Sequence, residues 1–276
     1  MLIPYLDDPL ATTFDNWLES VVARYVPPLT YTELRKGVQA LSMLYVERRD
    51  EGNVAARAID GQGKRGAFAS YYAALHFITV HHAIEMMGGT DTVGTPRRII
   101  DLGCGTGAVG TALATALPGT PAVLGVDRSG WALEEAERTW AAFGVSGRAE
   151  RAELPDGVPQ IGEGDMLALG WSLSEWDDVT RAKFLRRLFK YLRKGVSLFI
   201  AEPLSTQVSP WWNEWANELA DFGVSQELCK IAIVRPQWIQ DMDKASKLDH
   251  QVVGARVMAG RIGRRRHTRT EHVDRS

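Results

Sequence analysis

A chain of 276 residues is long enough for one large domain, or for one domain with an extension. With 45% hydrophobic and 24% charged residues it is not composed like a disordered chain, and it has material for a sizeable core. Near balance of 32 basic and 34 acidic residues excludes a whole-molecule polycation. Two cysteines, Cys104 and Cys229, are too few for a disulfide scaffold or a four-thiolate metal site. Both are expected as reduced thiols in a cytoplasmic protein.

The opening segment, MLIPYLDDPLATTFDNW, has early aspartates and no basic cluster, so it does not read as a secretory signal. Helices are predicted over Phe14–Tyr25, from Thr30 onward, and over Lys64–Met87. Thr30 and Glu33 have capping-box spacing, and Leu34, Val38, Leu41, Leu44 and Tyr45 recur at helical period. Gly88 and Gly89 end the third helix. That helix is apolar, but His76, His81, His82 and Glu85 make it a poor bilayer span, and no membrane partner is expected. His81 and His82 are adjacent and diverge on a helix, so no metal site is expected there.

From Arg97 the pattern becomes strand, helix, strand. Apolar runs at Arg97–Gly103, Pro121–Asp127, Arg148–Leu154, Asp165–Trp171, Val196–Glu202, Leu228–Val234 and Gln251–Ala259 predict seven strands. Helices are predicted at Gly107–Leu117, after the cap Ser129, at Val179–Arg193 and at Trp211–Phe222. The fold class is therefore α/β: a seven-stranded, mostly parallel sheet with a helical N-terminal extension, its last two strands pairing antiparallel at an edge. The divisions are 1–95 as extension or lid, 96–262 as the ligand-binding domain and 263–276 as a basic tail. From Arg256 onward seven arginines face two acids. This arm is a solvated tail or a contact for an acidic partner such as RNA.

Asp101-Leu-Gly103-Cys104-Gly105-Thr-Gly107-Ala-Val-Gly110 follows a strand and opens a helix. Such glycines permit a tight turn and close approach of a ligand to the backbone. Gly105, Gly107 and Gly110, followed by Asp127, also fit a dinucleotide fingerprint, which leaves an NAD(P)-dependent oxidoreductase as an alternative.

The segment DLGCGTG resembles motif I of class I S-adenosylmethionine (SAM)-dependent methyltransferases, where the acid ends the first strand. VLGVDRS, DMLALGWSLSEW and FLRRLFKYLRKGVSLFIAEPL are similar to that family's second, fourth and fifth strand regions. More loosely, LSMLYVERR, RGAFASYYAALHF, GWSLSE and AEPL resemble the methyltransferase-like family of mitochondrial small-ribosomal-subunit assembly proteins and its bacterial relatives. Only Cys229 lies where the mitochondrial members carry a cysteine cluster, so no iron–sulfur site is carried over.

The resemblance implies SAM as cofactor and S-adenosylhomocysteine as product. It implies that Gly103, Gly105 and Gly107 surround the methionine part and that Asp101 braces the loop or receives the ammonium. It further places Asp127 on the ribose hydroxyls and Glu150 near the adenine, with Asp165 as the competing acid. Cys104, Arg128 and Trp171 flank these positions and are expected to touch the cofactor; Trp131 is a second adenine neighbour or a core residue. Methyl transfer needs chiefly an in-line approach, with a base only where the nucleophile must lose a proton. Ser172, Ser174, Glu175 and Glu202 follow strands at the ligand end and are the catalytic candidates. Tyr71, Tyr72 and His76 line a lid or pack on the sheet. Trp211, Trp212 and Trp215 form core or a cation-binding wall. The expected function is methyl transfer to a small-molecule O or N nucleophile. The alternatives are an rRNA methyltransferase or ribosome-assembly factor binding RNA through the tail, and the oxidoreductase.

Overall fold

The computed structural model describes residues 2–47 and 59–263. The arginines at 264–266 and 269, and with them the tail predicted to bind RNA, lie outside these residues. The sheet has eight strands rather than seven: β1 (Ile3–Pro4), β2 (Arg98–Leu102), β3 (Ala122–Asp127), β4 (Gly147–Arg151), β5 (Asp165–Gly170), β6 (Ser197–Glu202), β7 (Val224–Val234) and β8 (Val252–Gly260). Their spatial order is β1-β7-β8-β6-β5-β2-β3-β4. The added strand is a two-residue piece that pairs Ile3 with Ile233 and Pro4 with Val234, too short to show a period in sequence.

Pairing is parallel except at β8, which runs antiparallel to both β6 and β7. The antiparallel strand is thus inserted between two others and is not the edge. Its direction matters for the site. Glu202, the last residue of β6, is in register with Arg256, so residues 252–255 extend past the carboxyl end of β6 while still paired with β7.

Helices cover both faces. On one side are α1 (Leu10–Tyr25), α2 (Tyr31–Glu47) and α3, which runs as Gln62–Ala67, a π-turn at Phe68–Tyr72 and Ala73–Met86. They pack with α5 (Ala108–Ala116), α6 (Gly130–Ala142) and α9 (Gln237–Ser246), a one-turn α4 (Thr90–Val93) preceding β2. On the other side, α7 (Asp178–Arg193) and α8 (Trp212–Ala220) bury Phe184, Leu188, Trp212 and Leu219 against Ile100, Leu167 and Ile200. Residues of the N-terminal helices, such as Phe14, Leu34 and Phe77, share one core with Val109, Met166 and Val257 of the sheet layer.

The predicted caps explain several boundaries. Thr30 N–H donates to Glu33 Oε2 at 2.8 Å and Glu33 N–H to Thr30 Oγ at 3.2 Å, a reciprocal capping box. Ser129 Oγ accepts from Ala132 N–H at 3.3 Å, and Asp177 Oδ1 from Thr180 N–H at 2.8 Å. Helix α9 was not among the clear sequence predictions: flanked by Pro236 and Lys247, it has only ten residues. No helix of the described residues is long and apolar enough to cross a membrane.

Candidate active site

The turn from β2 into α5 is built by three left-handed glycines: Gly103 at φ 74°, Gly105 at 52° and Gly107 at 80°. Side chains are excluded by space as well as by dihedral angle. A Cβ on Gly103 would stand 2.9 Å from Ser172 Cβ, and one on Gly107 3.0 Å from Ala136. The loop is tied to the neighbouring strand by Gly103 N–H and Cys104 N–H, both donating to Val126 O at 2.8 and 3.1 Å.

Asp101 lies fully buried beneath this loop. Its Oδ2 accepts from Gly110 N–H at 2.8 Å, while Oδ1 is bonded by no described residue. Burial pushes its pKa up to about 7 against that hydrogen bond, and the charge of Asp127 adds to the rise. Asp127 ends β3 and is half-buried; its Oδ2 accepts from Gly105 N–H at 3.0 Å and its Oδ1 from Ser129 N–H at 2.8 Å. Its carboxylate therefore joins the glycine loop to the start of α6. The thiol of Cys104 is buried under the loop, where burial and the acids Asp101 and Asp127 hold its pKa well above the usual thiol range. Its Sγ lies 2.8 Å from where a Cβ on Gly125 would stand.

Glu175 stands on a short 3-10 turn, Leu173–Glu175, after β5. Its side chain reaches solvent, yet the surrounding protein pushes its pKa up to about 8; Arg128 opposes the shift, and Asp127 and Glu202 reinforce it. These mutual fields place Glu175, Arg128, Asp127 and Glu202 in one region at the strand ends. Glu202 lies behind the turn that carries Glu175. It is fully buried, and its Oε1 accepts from Leu173 N–H at 2.9 Å and Ser174 N–H at 3.3 Å. Burial raises its pKa to about 7 in spite of those bonds. The geometry is that of a brace holding the 3-10 turn. Ser172 is likewise enclosed below Gly103, and no described residue bonds its Oγ.

Trp171 adopts φ 53° and stacks on His76 of α3, with ring centroids 3.9 Å apart and planes 8° from parallel. Burial holds His76 neutral, with its pKa down to about 3, and the charge of His250 lowers it further. Phe68, in the π-turn of the same helix, stands 3.6 Å from where a Cβ on Gly105 would be. Helix α3 thus supplies an aromatic wall against the glycine loop. Of the predicted lid residues, His76 belongs to this wall. Tyr71 is buried against Asp243 and His250, and Tyr72 OH donates to Val38 O at 3.3 Å. Phe68 was missed because FASYY reads as unbroken helix.

Other candidates fall elsewhere. Glu150 lies one residue before the end of β4, in register with Val126, beside the strand that carries Asp127. Asp165, the competing acid, begins β5 at the opposite end of the sheet. There, despite the cost of burial, Arg98 at 2.7 Å and Arg97 at 3.3 Å hold its carboxyl below the usual range. That position excludes it from the site. Trp131 Nε1–H donates to Tyr25 OH at 3.0 Å and so anchors α1. Trp211, Trp212 and Trp215 are core residues, covered on their outer side by Arg181 and Arg256. His82 Nε2 contacts Tyr5 O at 2.9 Å, and His81 lies 3.6 Å from Glu85.

Residues 99–195 match a family model described as a methyltransferase domain. No match is found among curated proteins. A putative O-methyltransferase from Nostoc punctiforme is 14% identical and aligns over 82% of this chain and 69% of its own, with a TM-score of 0.50. That likeness shows the fold. A putative RNA methyltransferase from Pyrococcus horikoshii is 13% identical over 84% of this chain and all of its own, at TM-score 0.45. PKMT2 of Rickettsia typhi, solved with AdoHcy, is 22% identical over 39% of this chain; the match spans only 21% of that protein, at TM-score 0.33. With its glycine turn between β2 and α5 and its acid at the end of β3, the segment 99–195 is similar to the methyltransferase domain that this family model describes.

Proposed function

We propose that the chain transfers a methyl group from SAM to a small-molecule acceptor through an O or N nucleophile. One observation carries the choice of cofactor. Asp101, Glu175 and Glu202 crowd the strand ends around the glycine loop, and the pKa of each is raised to about 7 or 8. Burial is the first cause of each rise, and acids that ionise in such a site favour a cationic ligand. SAM brings a sulfonium and an ammonium to it, whereas the pyrophosphate of NAD(P) would be repelled.

The residues fit the cofactor in detail. Left-handed glycines leave the loop backbone open to a ligand, and Asp127 sits at the strand end where ribose hydroxyls are met. When bound, SAM supplies an already activated methyl. In this reading Gly103, Gly105 and Gly107 hold the methionine part, Asp101 stiffens the loop from below and Glu150 lies toward the adenine. Arg128 and Glu175 frame the rim, Trp171 and His76 wall the acceptor side, and Glu202 fixes the turn that carries Glu175. A rim of Phe68, His76, Trp171 and Glu175, aromatic but for one acid, suits a small acceptor better than a phosphate backbone, which calls for a row of cations.

The experiment is incubation of the purified protein with methyl-labelled SAM and, separately, the small-molecule, RNA and protein fractions of a cell extract. Label is expected in the small-molecule fraction. Label confined to RNA would replace the small-molecule acceptor with the rRNA alternative. No label in any fraction, with SAM bound, would favour a non-catalytic assembly role.

A further inference from the structure

Helix α7 carries a charge pattern that neither the fold nor the site at the strand ends uses. From Lys183 to its cap Lys194 it has six cations and no acid: Lys183, Arg186, Arg187, Lys190, Arg193 and Lys194. At about 100° per residue all six fall within an arc of about 120°, opposite the buried Phe184, Leu188 and Leu192. Exposed Val179 is the one other residue of the helix in that arc. Arg187 reaches an acid, Asp156, at 4.0 Å. Lys183, Arg186, Lys190 and Lys194 make no ion pair or side-chain hydrogen bond with any described residue.

Such a row works against the helix that bears it. Lys183 with Arg187, Arg186 with Lys190 and Lys190 with Lys194 are like charges four residues apart, which repel on a helix surface. The helix dipole favours cations in the last turn, which accounts for Lys190, Arg193 and Lys194 but not for Lys183, Arg186 and Arg187. Nor is the row a sample of a basic surface, since the whole chain has a net charge of −2. An anionic partner lying on α7 would relieve the repulsion.

The surroundings select the partner. Arg187 and Phe189 leave the helix on opposite sides. Beside Arg187 stands Asp156, and Glu163 packs against Gly195 at the helix end. Beside Phe189 lie Phe222 and α8, which exposes Glu214 and Glu218. The cations thus form a row about 16 Å long and one helix wide between acidic margins. A flat anionic membrane would press on those margins, whereas an extended strand lies along the row. Phe189 and Phe222, both half-buried, stack with centroids 4.9 Å apart and planes 11° from parallel, and the Arg193 guanidinium stands 5.1 Å over Phe222. Cations for phosphates next to aromatic rings for bases are what single-stranded nucleic acid needs, and an acidic peptide has no base to place there. Single strands are the form in which RNA is ordinarily read.

We propose that the outer face of α7 is a docking surface for single-stranded RNA, its phosphates held by the cation row and a base set against Phe222. Helix α7 runs from the carboxyl end of β5 to the amino end of β6, so the row leads away from the glycine loop. RNA held there is a tether outside the acceptor pocket. The proposal goes beyond the methyl-transfer reading and does not rest on it.

The test is fluorescence anisotropy of a labelled oligouridine RNA with the full chain, without SAM, over a range of salt. Lys183→Gln, Arg186→Gln and Lys190→Gln combined should weaken binding at least about tenfold. They should also flatten the slope of log Kd against log salt by about 2, at about 0.7 for each lost phosphate contact. Lys36→Gln, Lys244→Gln and Lys247→Gln combined remove the same charge elsewhere and should change the affinity less than about threefold. All six side chains belong to exposed residues, so both variants should melt within about 2 °C of wild type. Equal losses in the two variants, tighter binding of the matching DNA strand, or equal competition by poly-glutamate would overturn the proposal. So would a wild-type protein that ignores the RNA at low salt, or one that binds phosphatidylserine vesicles through α7 and leaves the RNA free.

Discussion

Asp127 serves two backbone donors at once, Gly105 N–H and Ser129 N–H, so its side chain holds the glycine loop in shape before any ligand arrives. Asp127→Ala should weaken S-adenosylhomocysteine binding at least about tenfold and cost about 1–3 kcal/mol of stability, read by calorimetry and by thermal melting. An unchanged affinity would remove Asp127 from the ribose role. Gly103→Ala would place a Cβ 2.9 Å from Ser172 Cβ at φ 74°, and a loss of about 1–3 kcal/mol is expected in denaturant unfolding. Glu175→Gln should spare binding and lower turnover by roughly tenfold or more; normal turnover would strike it from the site. Residues whose work is local were readable from sequence: the glycines and Asp127 stand in a fixed pattern around one turn. Glu202 and Ser172 are catalytic candidates by strand-end position, which is visible in sequence, whereas their burial is not. Asp243 and His250 escaped notice because their partner Tyr71 lies 172 and 179 residues away.

At the scale of elements, α3 is the piece that turns a nucleotide-binding sheet into a walled site. Its π-turn aims Phe68 at Gly105 while His76 stacks on Trp171. Nothing in FASYY distinguishes a π-turn from ordinary helix, since the difference lies in packing. The apolar runs that became β2, β3, β5 and β6 were legible because strands buried on both faces are continuous in sequence. The place of β8 was not legible, because which strand pairs with which is a non-local choice. Helix α2 offers a contrast remote from the site. Thr30→Ala removes one half of its capping box and should cost about 1 kcal/mol while leaving S-adenosylhomocysteine affinity unchanged. A loss of affinity in that variant would show that α2 reaches the site through α3.

Across the whole molecule, the buried acids set the pH response. Asp101 and Glu202 hold protons up to about pH 7 in the folded chain, whereas unfolded carboxylates release theirs near pH 4. Between these values the folded state binds more protons, so the stability these acids contribute is full only below about pH 4 and is lost as the pH rises from there through about 7. His76 works the other way below its ordinary pKa, since only the unfolded chain protonates it there. The ligand-free protein should therefore melt at a lower temperature at pH 8 than at about pH 6.5, by about 2–4 °C for each kcal/mol lost. A melting temperature that rises over that interval would contradict the buried-acid account. A cationic ligand favours the ionised acids, so its binding should release protons and tighten over the same interval.

The most direct measurement is calorimetric titration of the protein with SAM, S-adenosylhomocysteine and NAD(H) in parallel. Saturable binding of SAM and its product, with proton release on SAM binding and no response to NAD(H), is the predicted result. Binding of NAD(H) without SAM would contradict it.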